Sequence, residues 1–481
     1  MEQDARWRDM DLERRFKRGE ISRRDFLRIA TLLGLSLGAN EFLTGCAQTT
    51  VTPYPTSYDP VNNDPAVLTA ASKMEKPARS TEPAGSEPPT AVETQPIPPS
   101  TTFKRVEWLC ASCGQHFRNL DELKRHAATE HAWRLPETKR VDQPTYSEYL
   151  VGNVERFDEK NTVFSRVGWD TNYQIKVQEA TAKAPSDDWN TFEGRALVAG
   201  AIYVDDTAGS FHGYYSGYFG HIRNYGGLYN WDDPVNSIQY PVPDPVWMSE
   251  RIKEVARFYG ANLVGICKVN PNWVYSSYYE LITGNYGKLE IPYRYAIVMG
   301  IEMDWKTINT SPKAEASAAT ALAYSRMSEL SASVAKYIRA LGYPAIPCGN
   351  DSAQSIPLAI DAGLGELGRN GLLLTPEYGP RQRICKVFTS LPLQVDQPID
   401  FGAGRFCEKC RACAKSCPVD AILKGDRTTK QTSISNRPGI LRWPVDVAKC
   451  YLFWQENGID CSNCIASCPW ALHSQRDWLE L

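Results

Sequence analysis

Two cysteine runs near the C-terminus hold the residues best suited to chemistry. The first places Cys407, Cys410 and Cys413 at C-x2-C-x2-C, with Cys417 directly before Pro418. The second opens with Cys450 and, after a gap of ten residues, has Cys461, Cys464 and then Cys468 before Pro469. Three cysteines at that spacing aim three thiolates into one pocket on a tight loop. A cubane iron–sulfur cluster needs four, and in the two-cluster pattern the fourth comes from the other run. The spacing therefore assigns Cys407, Cys410, Cys413 and Cys468 to one [4Fe-4S] cluster and Cys450, Cys461, Cys464 and Cys417 to a second. Each proline ends its local turn, having no N–H and a fixed φ. Zinc sites use paired C-x2-C knuckles, whereas a third cysteine followed by Cys-Pro, twice over, fits clusters. Two adjacent clusters make a wire, so the rest of the chain should show where the electrons go.

The chain has 481 residues, room for two or three domains. Its 42% hydrophobic residues supply a sizeable core, and a formal net charge of −3 gives no basic footprint for nucleic acid. Six of the 14 cysteines lie outside the two runs: Cys46, Cys110, Cys113, Cys267, Cys348 and Cys385. They do not form a disulfide framework.

Residues 1–46 read as an export address. Arg23 and Arg24 form a twin-arginine motif ahead of a modest apolar run, Ile29–Leu37, and such signals are read by a receptor in bacterial export. The plain alternative is a basic amphipathic helix that stays in the cytosol. The apolar run is too short for a permanent span. Leu43–Cys46 has the form of a lipoprotein cleavage box in which Cys46 would be acylated, although Asn40 and Glu41 are unusual before one. A single acyl chain anchors only marginally, so a membrane partner would still be useful. Residues 47–105, rich in Pro, Thr, Ser, Ala and Glu, read as a flexible linker.

Within 106–133, Cys110, Cys113, His126 and His131 have C2H2 zinc-finger spacing, with Phe117 and Leu123 as its small core. The helix positions that would face a DNA groove include Asn119, Asp121 and Glu122, and acidic side chains repel phosphate. The module reads as structural or docking, with no nucleic-acid partner.

Gly209–Trp231 is dense in glycine and aromatics. Each aromatic alone is most simply a packed residue; together they could wall a pocket for a large flat cofactor or an apolar substrate. His212 and His221 lie there without paired spacing and read as ordinary histidines. From Val246 helical and strand patterns alternate. Ile252, Val255, Ala256 and Tyr259 recur at helical spacing before Gly260. Leu263–Val269, Tyr295–Met303 and Gly371–Leu374 read as strands. Ala314–Leu341 reads as a long helix striped by Leu330, Val334, Ile338 and Leu341. The outline is α+β, helices on a sheet.

The stretches Ile346–Asp351, Ile356–Gly371 and Thr375–Arg383, followed by the cysteine runs, closely resemble corrinoid-dependent reductive dehalogenases. The resemblance covers Val246 to the C-terminus, and separately the twin-arginine signal of the respiratory members. The linker and the finger-like module are not usual features of that family. The resemblance implies a nitroreductase-like corrinoid-binding domain over 134–400 and a two-cluster ferredoxin-like domain over 401–481. It implies that cluster electrons reduce the corrinoid cobalt to Co(I) and that a small organohalide exchanges halogen for hydrogen in anaerobic respiration. It further implies a small integral-membrane anchor protein, a quinone-linked electron donor, and a place at the outer face of the cytoplasmic membrane or in the periplasm. Its catalytic positions fall on Tyr324 as proton donor, Asn350, and Arg383 as the cation beside the tyrosine, with Arg381 the rival. A free tyrosine has a pKa of about 10, so a neighbouring cation is needed to make its proton useful near neutral pH. Gly363, Gly365, Gly368, Asn370 and Gly371 are the expected corrinoid contacts; such glycines permit tight turns or close backbone approach to a bulky group.

Three other readings compete. An epoxyqueuosine reductase-like enzyme also pairs a corrinoid with two clusters but acts on tRNA, which the export signal and charge balance oppose. A non-catalytic electron carrier would hold iron and no corrinoid. A zinc-finger nucleic-acid binder is opposed by the acidic finger helix.

Overall fold

Four strands that are apolar on both faces form the central sheet of the computed structural model: β1 (Leu263–Lys268), β2 (Tyr295–Glu302), β3 (Ala345–Cys348) and β4 (Gln382–Thr389). Their order is β1-β2-β4-β3, and every neighbouring pair is antiparallel. Side chains alternate between the two faces. Ile297, Met299, Ile301, Cys385 and Val387 point into one core; Ala296, Val298, Ile384 and Phe388 point into the other. Because both faces are covered, β2 reads as one unbroken apolar run. The structure describes residues 108–109, 116–117, 138–184, 192–209, 227–280 and 284–472.

The helices used below are α1 (Thr171–Ala182), α2 (Phe192–Val204), α3 (Pro245–Phe258), α4 (Ala314–Ala340), α5 (Ser355–Asp361), α6 (Ala403–Lys409), α7 (Ala412–Ser416), α8 (Val447–Asn457) and the single turn α9 (Asn463–Ala466). Helices α3 and α4 cover the first face. Asp244 caps α3 by accepting from the Val246 N–H at 2.8 Å, and Pro245 suits the first turn. Met248, Ile252 and Ala256 then recur every fourth residue toward the sheet. In α4 the stripe Leu330, Val334 and Ile338 is fully buried. Its earlier half is built from alanine and serine, so α2 packs closely there; Ser325 Oγ donates to Ala201 O at 2.7 Å. Gly342, at φ +84°, ends the helix where a side chain would meet the Ile238 carbonyl. On the second face α5 buries Leu358, Ala359 and Ile360.

One outcome differs from the sequence reading. Gly371–Leu374 does not join the main sheet: Gly371 turns the chain at φ +74°, and only Leu373–Leu374 pairs, with Glu366–Leu367. The central strand β4 instead comes from Gln382–Thr389, where Arg383 and Lys386 interrupt the apolar run that would have advertised it. Residues on both sides of position 400 belong to the compact unit Ser100–Leu481. Residues 138–184 clasp the cysteine-bearing tail. Lys139–Arg140 pairs with Ile399–Asp400, Phe164 meets Tyr451 edge-on at 5.4 Å, and Thr181 Oγ1 donates to Gln455 Oε1 at 3.2 Å.

The twin-arginine segment, Cys46 and the linker lie outside the described residues. So do Cys110, Cys113, His126 and His131, although Trp108–Leu109 and His116–Phe117, which bracket the two cysteines, pair antiparallel. Among the described residues no helix is long and apolar enough to cross a membrane.

Candidate functional site

Tyr324, Asn350 and Arg383 meet where α4, the loop after β3 and strand β4 converge. Asn350 Nδ2 donates to Tyr324 Oη at 2.8 Å. The Arg383 guanidinium carbon stands 5.1 Å from the centre of the Tyr324 ring. Its Nη2 donates to Thr320 Oγ1 at 3.3 Å, one helical turn before Tyr324, while its Nε is buried without a hydrogen-bond partner. Strand parity explains the placement: Arg383 shares its face with Cys385 and Val387, which look toward α4. Tyr324 is half-buried and Asn350 exposed, so the trio is open on one side.

The rival Arg381 is committed elsewhere. It is buried, pairs with Glu302 at 2.8 Å, and donates from Nε to Ala471 O at 2.9 Å. It ties the end of the described tail to the sheet.

The loop that carries Asn350 is held from beneath by residues the sequence reading missed. Lys386 is fully buried on the opposite face of β4; its Nζ donates to Gly349 O at 2.6 Å and to Ser355 Oγ at 3.2 Å. Ser352 sits at φ +67°, a strained value for a residue with a side chain. Its N–H donates to Glu159 Oε1 at 3.3 Å, its Oγ donates to Asp351 Oδ2 at 2.8 Å, and its carbonyl accepts from Tyr275 N at 3.0 Å. Burial, reinforced by the nearby Asp351, holds the Glu159 carboxyl well above the usual carboxylate range. Of the aromatic stretch, Tyr229 and Trp231 are described: the Tyr229 hydroxyl lies beside Gly349, and Trp231 Nε1 donates to Pro347 O at 3.2 Å. His212 and His221 fall outside the described residues. No motif marks Lys386 or Glu159; the one signal available was a charged residue inside a strand.

The glycine run packs against this chain itself. A Cβ at Gly363 would lie 2.4 Å from the Gln397 carbonyl oxygen, and one at Gly365 would lie 2.0 Å from that of Leu374. At Gly368 it would meet Leu374 and Asn370, and at Gly371 Val445. Asn370 Nδ2 donates to Cys464 O at 3.4 Å. The run thus seats the sheet on the cysteine segment.

There, Cys407, Cys410, Cys413 and Cys468 line one cavity together with Arg369 and Asn370. Cys417, Cys450, Cys461 and Cys464 form a second group close enough to act on one another electrostatically, and Cys464 also feels Cys413, so the two groups adjoin. Helix α7 brings Cys413 and α9 brings Cys464. Burial pushes the Cys407, Cys413 and Cys450 thiols up to about 12, and Cys464 and Cys468 well above their ordinary value. As free thiols these would stay protonated and inert; a bound metal deprotonates them outright. Among the described residues no three His, Cys, Asp or Glu side chains converge tightly enough for a single ion. The first cysteine set surrounds a cavity instead, as a multi-iron group requires.

Comparison with known proteins defines the class first: residues 406–471 match the family of 4Fe-4S double cluster binding domains. More of the chain is similar to reductive dehalogenases. It is 38% identical over 274 residues to the tetrachloroethene reductive dehalogenase of Sulfurospirillum multivorans, covering 49% of this chain and 54% of that protein. A solved reductive dehalogenase, described with a mechanism for B12-dependent dehalogenation, matches with a TM-score of 0.52 at 26% identity, over 69% of this chain and 44% of that one. A lesser match, 32% over 110 residues, is to the epoxyqueuosine reductase of Lactococcus garvieae (strain Lg2), 23% of this chain and 30% of that protein. The chain spans about half the length of the reductive dehalogenase relatives it matches. It is thus similar to reductive dehalogenases over part of their length, and its C-terminal segment matches the 4Fe-4S double cluster binding domain.

Proposed function

We propose that the protein is a corrinoid-dependent reductive dehalogenase. The observation that carries this reading is the trio Tyr324–Asn350–Arg383, gathered in the same compact unit as two adjoining sets of four cysteines. Cys407, Cys410, Cys413 and Cys468 would hold one [4Fe-4S] cluster, and Cys417, Cys450, Cys461 and Cys464 the other. The donor chemistry fits: buried thiols around a cavity. A corrinoid fits the trio in that the site is open on one side and keeps an unpartnered buried donor, Arg383 Nε. When bound, a corrinoid supplies the low-potential cobalt chemistry, Co(I) in its reduced form, that cleaves a carbon–halogen bond.

This chain's own residues would do the rest. The cysteine segment passes single electrons inward. Tyr324 gives its hydroxyl proton to the carbon that loses halogen. Asn350 fixes the hydroxyl's position by donating to it, and Arg383 offsets the negative charge left on the phenol oxygen. Overall, two electrons and one proton convert a carbon–halogen bond to carbon–hydrogen and release halide. A nitroreductase-like catalytic fold, a small organohalide as substrate, a respiratory role, export by the twin-arginine route, and delivery of electrons through a membrane anchor protein and a quinone-linked donor belong to the same proposal. Sequence resemblance supports them.

Anaerobic reconstitution with corrinoid, metal analysis and a halide-release screen over chlorinated ethenes and aromatics test the reading. The expected protein holds about eight irons and about one cobalt per chain, and it releases halide with a low-potential donor. Full iron with no cobalt uptake would favour the electron carrier instead; turnover of an epoxyqueuosine-containing tRNA stem-loop would favour the tRNA enzyme.

A further inference from the structure

The two cysteine sets stand in different electrostatic surroundings. Arg369, next to the glycine run, is 2% exposed. Its Nε donates to Cys407 O at 3.0 Å and Cys410 O at 2.9 Å. Its Nη1 donates to Leu423 O at 2.9 Å and Gly425 O at 2.8 Å, and its Nη2 to Glu408 O at 3.2 Å. These acceptors are all neutral carbonyls. They satisfy the guanidinium's donors but do not balance its charge, and a buried cation is costly without a counter-charge.

A second guanidinium lies alongside. The Arg369 carbon is 4.4 Å from the Trp443 ring centre, and the Arg427 carbon is 3.8 Å from the same ring. Among the described residues Arg427 Nε and Nη2 are buried without hydrogen-bond partners, and Glu408 Oε1 is 3.8 Å from Nη2 on a half-exposed side chain. Trp443 packs in one core with Cys407 and Cys468. Arg369 is thus hydrogen-bonded to the backbone of two members of the first set, and Arg427 is stacked on the tryptophan that packs against two. Acidic residues border the second set instead: Asp446 O accepts from Cys450 N at 2.9 Å, and Asp460 directly precedes Cys461.

We propose that Arg369 and Arg427 are the counter-charge of the cluster held by Cys407, Cys410, Cys413 and Cys468, and set its reduction potential above that of the cluster held by Cys417, Cys450, Cys461 and Cys464. Each cluster gains one negative charge when it takes up an electron. A fixed cation nearby stabilises the reduced form, an anion opposes it, and both act strongly in a dry interior. A single electron entering the pair therefore rests on the first cluster, and the second is the harder of the two to reduce. The inference rests on the ligand assignment under the proposed function, and not on dehalogenation.

The test is an anaerobic redox titration of the iron-replete full-length protein, reduced with titanium(III) citrate through low-potential mediators and followed by electron paramagnetic resonance. Wild type should show two separate steps. Arg427→Gln should shift the upper step downward and leave the lower one in place. Arg369→Met should shift the upper step in the same direction, and Arg369→Lys, which keeps the charge, should stay nearer wild type. A single unsplit step in wild type, equal movement of both steps, or no movement in Arg427→Gln at full iron content would overturn the proposal. So would loss of about half the iron in Arg427→Gln, which would make that side chain a scaffold for assembly. Wild type that never reaches about eight irons would sink the ligand assignment first, whereas full iron with unshifted steps sinks the charge argument alone.

Discussion

A tyrosine on a long helix is ordinarily a packing residue; the contacts of Tyr324 underlie the proton-donor role proposed for it. An amide donates to its oxygen at 2.8 Å and a guanidinium faces its ring. Tyr324→Phe keeps the ring and deletes the proton, so halide release should fall by roughly 100-fold or more while iron and cobalt content stay at wild-type levels. Turnover retained in that variant would remove Tyr324 from the proton-donor role. Arg383 in the neighbouring strand and Arg381 just before it should separate cleanly. Arg383→Gln should lose activity with little change in melting temperature. Arg381→Gln leaves Glu302 and two carbonyls without their donor and should cost about 3 kcal/mol of stability, read by thermal unfolding. At this scale the sequence was legible only through family resemblance. Tyr324 and Asn350 lie 26 positions apart with no shared motif. Parity cannot choose between Arg383 and Arg381, which are two residues apart; the choice required knowing that β4 begins at Gln382 and that Arg381, just before it, is bound to Glu302 and Ala471.

Periodicity revealed the elements whose apolar residues run uninterrupted, namely α3, α4, β1 and β2. It failed at β4 because two charged residues stand within the strand. A central strand that must deliver Arg383 to one face and Lys386 to the other breaks its own hydrophobic run. Helix α5 carries a comparable conflict at its end. Tyr146 Oη donates to Asp361 Oδ1 at 2.6 Å, and Trp273 Nε1 donates to Tyr146 Oη at 2.9 Å. Burial raises the Asp361 carboxyl from 3.8 to about 7 despite those bonds. The folded chain therefore holds this proton up to near neutrality, whereas the unfolded chain gives it up near its ordinary value. Asp361 contributes most stability below the unfolded pKa; that contribution declines as pH rises toward about 7 and is flat above it. Asp361→Asn keeps an acceptor for Tyr146 and should remove the slope. The check is the melting-temperature difference between variant and wild type across roughly pH 5 to 8, which should change through the range and level off at its upper end. A constant difference would show that Asp361 does not titrate there.

At the scale of the whole molecule, the cysteine tail is built into the body that carries the trio. The glycine run seats the sheet on it, Arg381 ties Ala471 to the sheet, and residues 138–184 clasp it from the far side. The cysteine spacing announced the tail because thiol geometry is local. The clasp was unreadable because its contacts join residues more than 250 positions apart, as Thr181 and Gln455 do. The central claim is that electrons from the cysteine-bound clusters, with a proton from Tyr324, replace halogen by hydrogen at a corrinoid beside the trio. The most direct measurement is product analysis from iron-replete, corrinoid-loaded protein turning over chlorinated ethenes or aromatics in deuterated water with a low-potential donor. The expected result is one halide released per pair of electrons and one deuterium in the product where halogen was, both vanishing when corrinoid is left out. Protein replete in iron and cobalt that releases no halide from any of these substrates would contradict it.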